Sequence, residues 1–504
     1  MPKYPDVAGD MEIPVFSVTE VDFLHNYESS RGLPFAAGAI IDVDNDGRDE
    51  LFLGGGLRQA DGLFVLTEDG FIDVADQAGL VKQGDGFTLG SAVLDVDANG
   101  YQDLVVSREN GIWLYLNQGE TFEMEELGVA IPAGSFPLGV TLADLNSDGH
   151  FDFFVPLIRK TGSLSWLFNG QADTSVRPHL YLNNGDNTFT DVTEIVGLGS
   201  MEESLQALFA DLDNDGLMDL TTMHTDGRIR LWKNLGKLLF ENKSNAHTNR
   251  RGDYMGMAPG DYDGDGKIDI FLSNRGATIP QFFLNILQSS RASWENRWML
   301  MNNSGFFSFR SDETRSRIAD YEMGRGGLFA DVNSDGRLDL VVSQNHPYWP
   351  LYRLDAFRLP GRVLLQNHKG EFFEAAEDTG IINRQYGVAP LEADFNGDGL
   401  PDIVHINLAG KSRVFLSQAR QNHFLQVLLP DIVGSLGAKV RVQTVSGTVL
   451  TRQFLVGRGL CSDSSHRLFF GLGKDKAIEV TVEYLNGARE QTSGVFFNTT
   501  IVFD

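Results

Sequence analysis

Short apolar runs bounded by Gly, Asp, Asn or Ser follow one another along most of the chain, as in Asp103-Leu-Val-Val-Ser107 and Asp339-Leu-Val-Val-Ser343. Runs of this length and composition predict β-strands rather than helices. They recur in one order: a strand of small apolar residues, an acidic loop, a second strand, a strand ending in Asn, then Phe-x-Asp/Glu. The last two parts are clearest in His179-Leu-Tyr-Leu-Asn-Asn-Gly-Asp-Asn-Thr-Phe-Thr-Asp-Val-Thr193, with similar endings at Leu63–Val74 and Val363–Ala375. After residue 420 the acidic loops stop, and alternating segments such as Lys439-Val-Arg-Val-Gln443 predict a small all-β module.

The acidic loop is a nine-residue pattern, Asp-x-Asp/Asn-x-Asp/Asn-Gly-x-x-Asp/Glu, that occurs seven times. Positions 1, 3, 5 and 9 are Asp42, Asp44, Asp46 and Glu50; Asp95, Asp97, Asn99 and Asp103; Asp144, Asn146, Asp148 and Asp152; and Asp211, Asp213, Asp215 and Asp219. The remaining three sets are Asp261, Asp263, Asp265 and Asp269; Asp331, Asn333, Asp335 and Asp339; and Asp394, Asn396, Asp398 and Asp402. Carboxylates crowded at alternate positions repel unless a hard cation lies among them, and calcium accepts six to eight oxygens in irregular geometry. Up to seven Ca2+ ions are therefore expected. The Gly at position 6 permits the sharp turn, and the carbonyl of position 7 is a further expected ligand. Magnesium prefers rigid octahedral sites, and zinc wants His or Cys, which the loops lack apart from His150. An EF-hand would need Glu at position 12, where these loops have Leu53, Val106, Val155, Thr222, Leu272, Val342 and His405.

The loops also account for most of the charge. The 504-residue chain has a formal charge of −28, and the loop positions hold 24 of its 69 acidic residues. That balance argues against nucleic acid as a partner. A single cysteine, Cys461, excludes an intrachain disulfide, and no apolar run approaches the ~20 residues of a transmembrane helix. Met1-Pro-Lys-Tyr-Pro-Asp6 has no apolar signal core. Either the protein stays in the cytoplasm or the chain begins after a removed signal; because calcium modules with affinities around 10⁻⁴ to 10⁻³ M work only where calcium is abundant, a secreted or periplasmic protein is expected, as a monomer.

Loop starts lie 53, 49, 67, 50, 70 and 63 residues apart. Four short strands per unit, repeated seven times, predict a seven-bladed β-propeller over 1–419. The seventh unit lacks its last strand, and Val15-Phe-Ser-Val-Thr19 supplies a matching Phe-x-x-Thr. The N-terminal strand is therefore expected to close the last blade. These features resemble FG-GAP/VCBS repeat proteins with calcium loops like those of integrin α propellers. Over 420–504, Leu436-Gly-Ala-Lys-Val440, Gly457-Arg-Gly459, Ser462–Ser465, Phe470-Gly-Leu-Gly473 and Asn486-Gly487 follow in order. That series resembles the ASPIC/UnbV domain that follows such propellers in the cartilage acidic protein family and its bacterial relatives. Leu460-Cys461 and Tyr484-Leu485 depart from its usual aromatic and Trp-Pro positions.

Function is less legible. Surplus residues fall at 157–177, 274–296 and 344–361, on the strand connections opposite the acidic loops, and carry Trp166, Trp294 and Trp349, with Trp298 just beyond. Aromatics on loops suit a protein- or glycan-binding surface; packing against blade edges is the plainer role. The competing reading is an enzyme (a lyase, cyclase or hydrolase) at the channel mouth, with His346, Tyr348 and His224 as first suspects. No linear catalytic motif supports it, although propeller sites need none. Arg251-Gly-Asp253 leads straight into a strand, and the sequons at Asn242, Asn302 and Asn498 matter only in a glycosylating source. An interaction module is the favoured reading.

Overall fold

The computed structural model describes residues 11–27, 35–80, 84–119, 121–160, 176–275, 297–321, 323–344, 360–418 and 422–503. Seven antiparallel sheets are built from the repeats, each with four strands from its own unit or, in the seventh, from both ends of the repeat region. The second sheet is representative: Thr88–Leu94, Asp103–Arg108, Gly111–Asn117 and Phe122–Glu126 pair in sequence order. Every second strand begins on the position-9 acid of its loop, from Glu50–Leu53 to Asp402–Ala409. Each acidic loop thus joins the first two strands of a sheet.

Burial grades from the first strand to the last. First and second strands such as Thr88–Leu94 and Asp103–Arg108 are buried at every position, whereas the fourth strand Phe122–Glu126 buries only Phe122. A strand covered on both faces has no polar face, which is why these runs are apolar without alternation. First strands of neighbouring sheets lie against one another at most boundaries, and the first strand of the seventh sheet, Tyr386–Ala393, lies against Gly38–Ile41 of the first. In the seventh sheet Phe16–Glu20 pairs antiparallel with Arg413–Ser417, Phe16 opposite Ser417.

The third unit departs from the simple plan. Its ladder is divided: Ser135–Pro137 pairs with Leu157–Arg159 as a separate two-stranded sheet, while Thr141–Ala143 pairs with Asp152–Val155. Pro156, which has no N–H to give the ladder, stands at the break and accepts from Leu138 N at 3.0 Å.

The C-terminal module has two sheets, one of Leu468–Gly473, His423–Leu428 and Thr499–Val502, the other of Val449–Gln453, Lys439–Thr444, Ala477–Glu483 and Arg489–Phe496. It packs on the acidic-loop end of the repeats. Asp95 N donates to Asp431 O at 2.8 Å, Asn422 Nδ2 to Asn333 O at 2.9 Å and Gly473 N to Ser334 O at 2.9 Å. Its connection from Phe454 to His466 runs along the first strands of several sheets. Thr141 Oγ1 donates to Val456 O, Gln206 Nε2 to Arg458 O, Ser465 N to Glu392 O, and Ser462–Asp463 pairs parallel with Gly38–Ala39 as a fifth strand of the first sheet. Leu455, Leu460 and Cys461 are buried there in one cluster with first-strand residues of six sheets, so the Leu460-Cys461 departure falls in the core.

Candidate metal centre

The loops share a hydrogen-bond frame that their residue types dictate. The N–H of position 7 donates to the position-5 side chain in all seven, at 2.8–3.0 Å, an Asx turn that curls the backbone. Position 6 is Gly with φ between 82 and 93° throughout. Position 4 also lies in the left-handed region, at Asn45, Ala98, Ser147, Asn214, Gly264, Ser334 and Gly397. This second turn has no fixed residue type and left no sequence signal.

Position 9 is a staple as well as an acid. One oxygen accepts the position-2 N–H in every loop, at 2.8–3.2 Å. In loops two to seven the other accepts an N–H from the end of the third strand, such as Asn117 N to Asp103 at 2.7 Å and Ser417 N to Asp402 at 2.8 Å. The Asn that ends most third strands is placed by this bond. In loops two to seven Gly N also donates to the position-1 carboxylate, at 2.8–3.2 Å.

Buried acids concentrate in this frame. Burial pushes the carboxyls of Asp103 and Asp152 up to about 7, and those of Glu50 and Asp219 up to about 8, while their backbone donors oppose the shift. Asp269, Asp339 and Asp402 are raised well above the ordinary range for the same reason. Position 1 follows: burial raises Asp42, Asp261 and Asp394 to about 6 and Asp331 to about 7, and lifts Asp95, Asp144 and Asp211 as well.

Four groups bring carboxylate oxygens within 4.8 Å of one another: Asp42, Asp44 and Glu50; Asp95, Asp97 and Asp103; Asp211, Asp213 and Asp219; and Asp261, Asp263 and Asp265. Among the described residues, buried Asp42 Oδ1, Asp213 Oδ1 and Asp261 Oδ1 have no hydrogen-bond partner. Hard oxygen donors, mutual repulsion and unpartnered oxygens fit a divalent cation such as calcium. Chain cations reach some of these acids: Lys233 bridges Asp213 and Asp215, Lys267 meets Asp265, and Arg337 meets Asp335. The remaining sequence-read loop residues sit at the same loop positions: Asp46, Asn99 and Asp398 make the position-5 turn, and Asn146, Asn333 and Asn396 accept the position-5 N–H.

The module reaches the loops too, which linear reading did not reveal. Arg467 donates to Asp42 Oδ2 at 2.8 Å and Asp49 Oδ1 at 3.2 Å. Gln426 Nε2 donates to Asp394 Oδ2 at 2.8 Å, and Gly471 N to Asp331 Oδ2 at 3.1 Å. Lys439 Nζ meets Asn214 Oδ1.

Other candidates fare differently. Trp298 is fully buried, stacked on Tyr321 and edge-on to Phe271, so it belongs to the core rather than to a binding surface. His224 is buried with Nε2 against Thr222 Oγ1 at 2.7 Å and Nδ1 against Glu202 O at 3.1 Å, and burial pushes it down to about 3. Asp253 of the Arg-Gly-Asp run pairs with Arg275. Asn302 donates to Asp263 Oδ2 at 2.7 Å, inside the fifth loop. Trp166, Trp294, Trp349, His346 and Tyr348 lie outside the described residues.

Comparison with known proteins agrees with this anatomy. The FG-GAP-like repeat family matches residues 95–155, 167–222 and 211–272, and the ASPIC and UnbV family matches 434–504. Cartilage acidic protein 1 of Xenopus tropicalis is 23% identical over 94% of this chain and 74% of its own length. The human protein of that name is 22% identical over 60% of this chain, a match that spans 46% of the human protein. Among solved structures, the BP39L lectin from Burkholderia pseudomallei aligns with TM-score 0.48 and 8% identity, over 77% of this chain and 97% of that chain. The chain carries FG-GAP-like repeats followed by an ASPIC and UnbV domain, and is homologous to cartilage acidic protein 1 over most of its length.

Proposed function

We propose that this chain is a calcium-stapled interaction module of the secreted or periplasmic space, acting as a monomer. The seven sheets are read as blades of one closed propeller over 1–419, with the N-terminal strand as its latch and 420–504 as a lid on the loop end. Calcium is structural in this reading: it sits among the position-1, -3, -5 and -9 side chains, relieves their repulsion and fixes each loop. The observation that carries the reading is the set of buried loop oxygens without a partner, Asp42 Oδ1, Asp213 Oδ1 and Asp261 Oδ1, each within an acid cluster. Because the module covers the loop end, a protein or glycan ligand is expected at the opposite end, to which the sequence assigns the long connections.

The test is metal analysis together with thermal melting, in millimolar calcium and after chelation. Several bound ions per chain and a melting temperature more than about 10 °C lower after chelation are expected, since ligand binding to the folded state alone stabilises it by mass action. Melting indifferent to calcium would sink the metal reading and, with it, the argument for an exterior compartment.

A further inference from the structure

We infer that Arg467 of the C-terminal module holds the calcium affinity of the first loop below what its four carboxylates would give, and so ties ion uptake there to the docking of the module. The inference rests on the calcium reading above and names what regulates one of its sites. In loops two to seven Oδ2 of the position-1 acid accepts the N–H of the loop's own glycine, a neutral donor. The first loop departs from this. Among the described residues Asp42 accepts no glycine N–H, and its Oδ2 accepts instead from Arg467 Nη2 at 2.8 Å. Arg467 Nε donates to Asp49 Oδ1 at 3.2 Å, and Asp49 Oδ2 accepts Asp394 N at 2.7 Å, so the guanidinium is held between the first and seventh loops. The side chains of Arg467, Asp42 and Asp49 are only 7%, 14% and 3% exposed.

The exchange changes the electrostatics and leaves the ligand set in place. Carboxylate oxygens of Asp42, Asp44 and Glu50 still lie within 4.8 Å of one another, and Asp42 Oδ1 has no hydrogen-bond partner among the described residues. A divalent ion on Oδ1 and a guanidinium on Oδ2 repel across one carboxylate, and in a buried site water screens that repulsion weakly. The module also reaches position 1 of the sixth and seventh loops, but through neutral donors, Gly471 N to Asp331 Oδ2 at 3.1 Å and Gln426 Nε2 to Asp394 Oδ2 at 2.8 Å. Lys233, Lys267 and Arg337 meet acids at positions 3 and 5, with side chains 20%, 27% and 33% exposed. Arg452 acts on Asp261 and Asp331 through its charge, with no hydrogen bond to either among the described residues. The first loop's own cation, Arg48, is exposed. Because such coupling is reciprocal, an ion in the first loop loosens the Arg467 contact by the same factor.

The experiment counts bound calcium on the full chain by equilibrium dialysis and metal analysis across a range of free calcium. Four proteins are compared: wild type, Arg467→Gln, Arg467→Lys, and Arg467→Gln combined with Asp44→Ala. Arg467→Gln keeps an N–H donor and removes the charge, so one ion should bind about tenfold tighter or more than in wild type. Arg467→Lys keeps the charge and should leave that ion at its wild-type affinity. Adding Asp44→Ala, which removes an exposed ligand of the first loop, should abolish the gain. Equal binding curves for wild type and Arg467→Gln would overturn the inference, as would a gain that survives Asp44→Ala or one that Arg467→Lys shares. No bound calcium in any of the four would instead remove the loop reading, and the inference with it. If Arg467→Gln does not fold, Asp49→Asn decides: it leaves the guanidinium to Asp42 alone and should weaken the same site, and an unchanged or tighter site would overturn the assignment.

Discussion

The first and the fifth acidic loops carry Asp at positions 1, 3 and 5, Gly at 6 and an acid at 9, yet the protein treats them differently. In both, the position-1 carboxylate is raised by burial to about 6 and keeps Oδ1 unpartnered among the described residues. Asp261 accepts Gly266 N on its other oxygen at 2.9 Å, so the fifth loop closes on itself. Asp42 instead gives its other oxygen to Arg467, which lies 425 residues further along the chain. The position-1 acid of one loop is met by a backbone N–H, with the Arg452 charge nearby, and that of the other by a guanidinium that also holds Asp49. Equal local sequences therefore do not make equal sites, because the approach of another part of the chain decides which charge neutralises them.

The position-9 acid offers the sharpest way to break this comparison. Asp269 is fully buried and accepts Tyr262 N and Asn303 N, whereas Glu50 accepts Val43 N. Asp269→Asn turns an amide NH2 toward two backbone donors and is expected to cost about 3 kcal/mol, with Glu50→Gln costing about half as much. Denaturant titration in chelator reads the difference. Equal losses would mean that the third-strand bond contributes nothing.

Arg467→Met should cost at least as much. Removing one partner of a buried ion pair typically costs about 3–5 kcal/mol, since the remaining charges stay buried. The loss should shrink when calcium is added, because an ion at Asp42 can replace the lost guanidinium. The comparison variant Lys267→Met removes an ion pair at the fifth loop whose side chains are 27% and 34% exposed, and about 1 kcal/mol or less is expected. If calcium leaves the Arg467→Met deficit unchanged, Arg467 is not standing where a cation would act.

What was readable from the chain and what was not divides along the same line. Loop positions, strand edges and the pairing of Phe16–Glu20 follow from local chemistry, since Gly, Asp and a strand-initiating acid impose their geometry wherever they fall. The double amide bond of position 9 was hidden behind its expected role as a ligand, although the Asn ending the third strand marked it. The left-handed residue at position 4 was invisible because Asn45, Ala98, Ser147 and Gly264 all satisfy it. Nothing in the sequence linked Arg467 to Asp42 or Gln426 to Asp394, because those contacts depend on how the module docks. That docking is set by shape and by a shared core, in which Leu425, Phe470 and Val480 pack with Ala92, Leu142 and Phe153.

The module's hold on the first two loops should also depend on pH. His466 is buried, with Nδ1 2.8 Å from Asp431 and Nε2 3.4 Å from Asp463, while Asp431 O accepts Asp95 N. Burial opposes its charge, but the two carboxylates outweigh burial and raise it to about 10. A histidine raised in the folded state contributes stability that is complete below its unfolded value near 6.5 and is lost as pH climbs to about 10. Wild type should therefore lose more stability than His466→Gln between pH 6.5 and 10. Parallel profiles for the two proteins would remove the imidazolium from the docking account.

The smallest effect is the most discriminating about loop geometry alone. Gly47 and Gly266 have φ of 85 and 82°, a conformation that costs an L-residue about 1–2 kcal/mol. A Cβ on Gly47 meets nothing within 4 Å, and one on Gly266 meets only Thr451 Oγ1 at 3.7 Å. Alanine at either site should thus cost the same strain in chelator, about 1 kcal/mol, despite the different partners of Asp42 and Asp261. In calcium the two should separate. Gly266 N donates to a carboxylate proposed to hold a loop ion, so a displaced Gly266 disturbs that site, whereas Asp42 accepts no glycine N–H among the described residues. A larger loss for Gly266→Ala than for Gly47→Ala, present in calcium and absent without it, ties the difference to the ion rather than to the backbone.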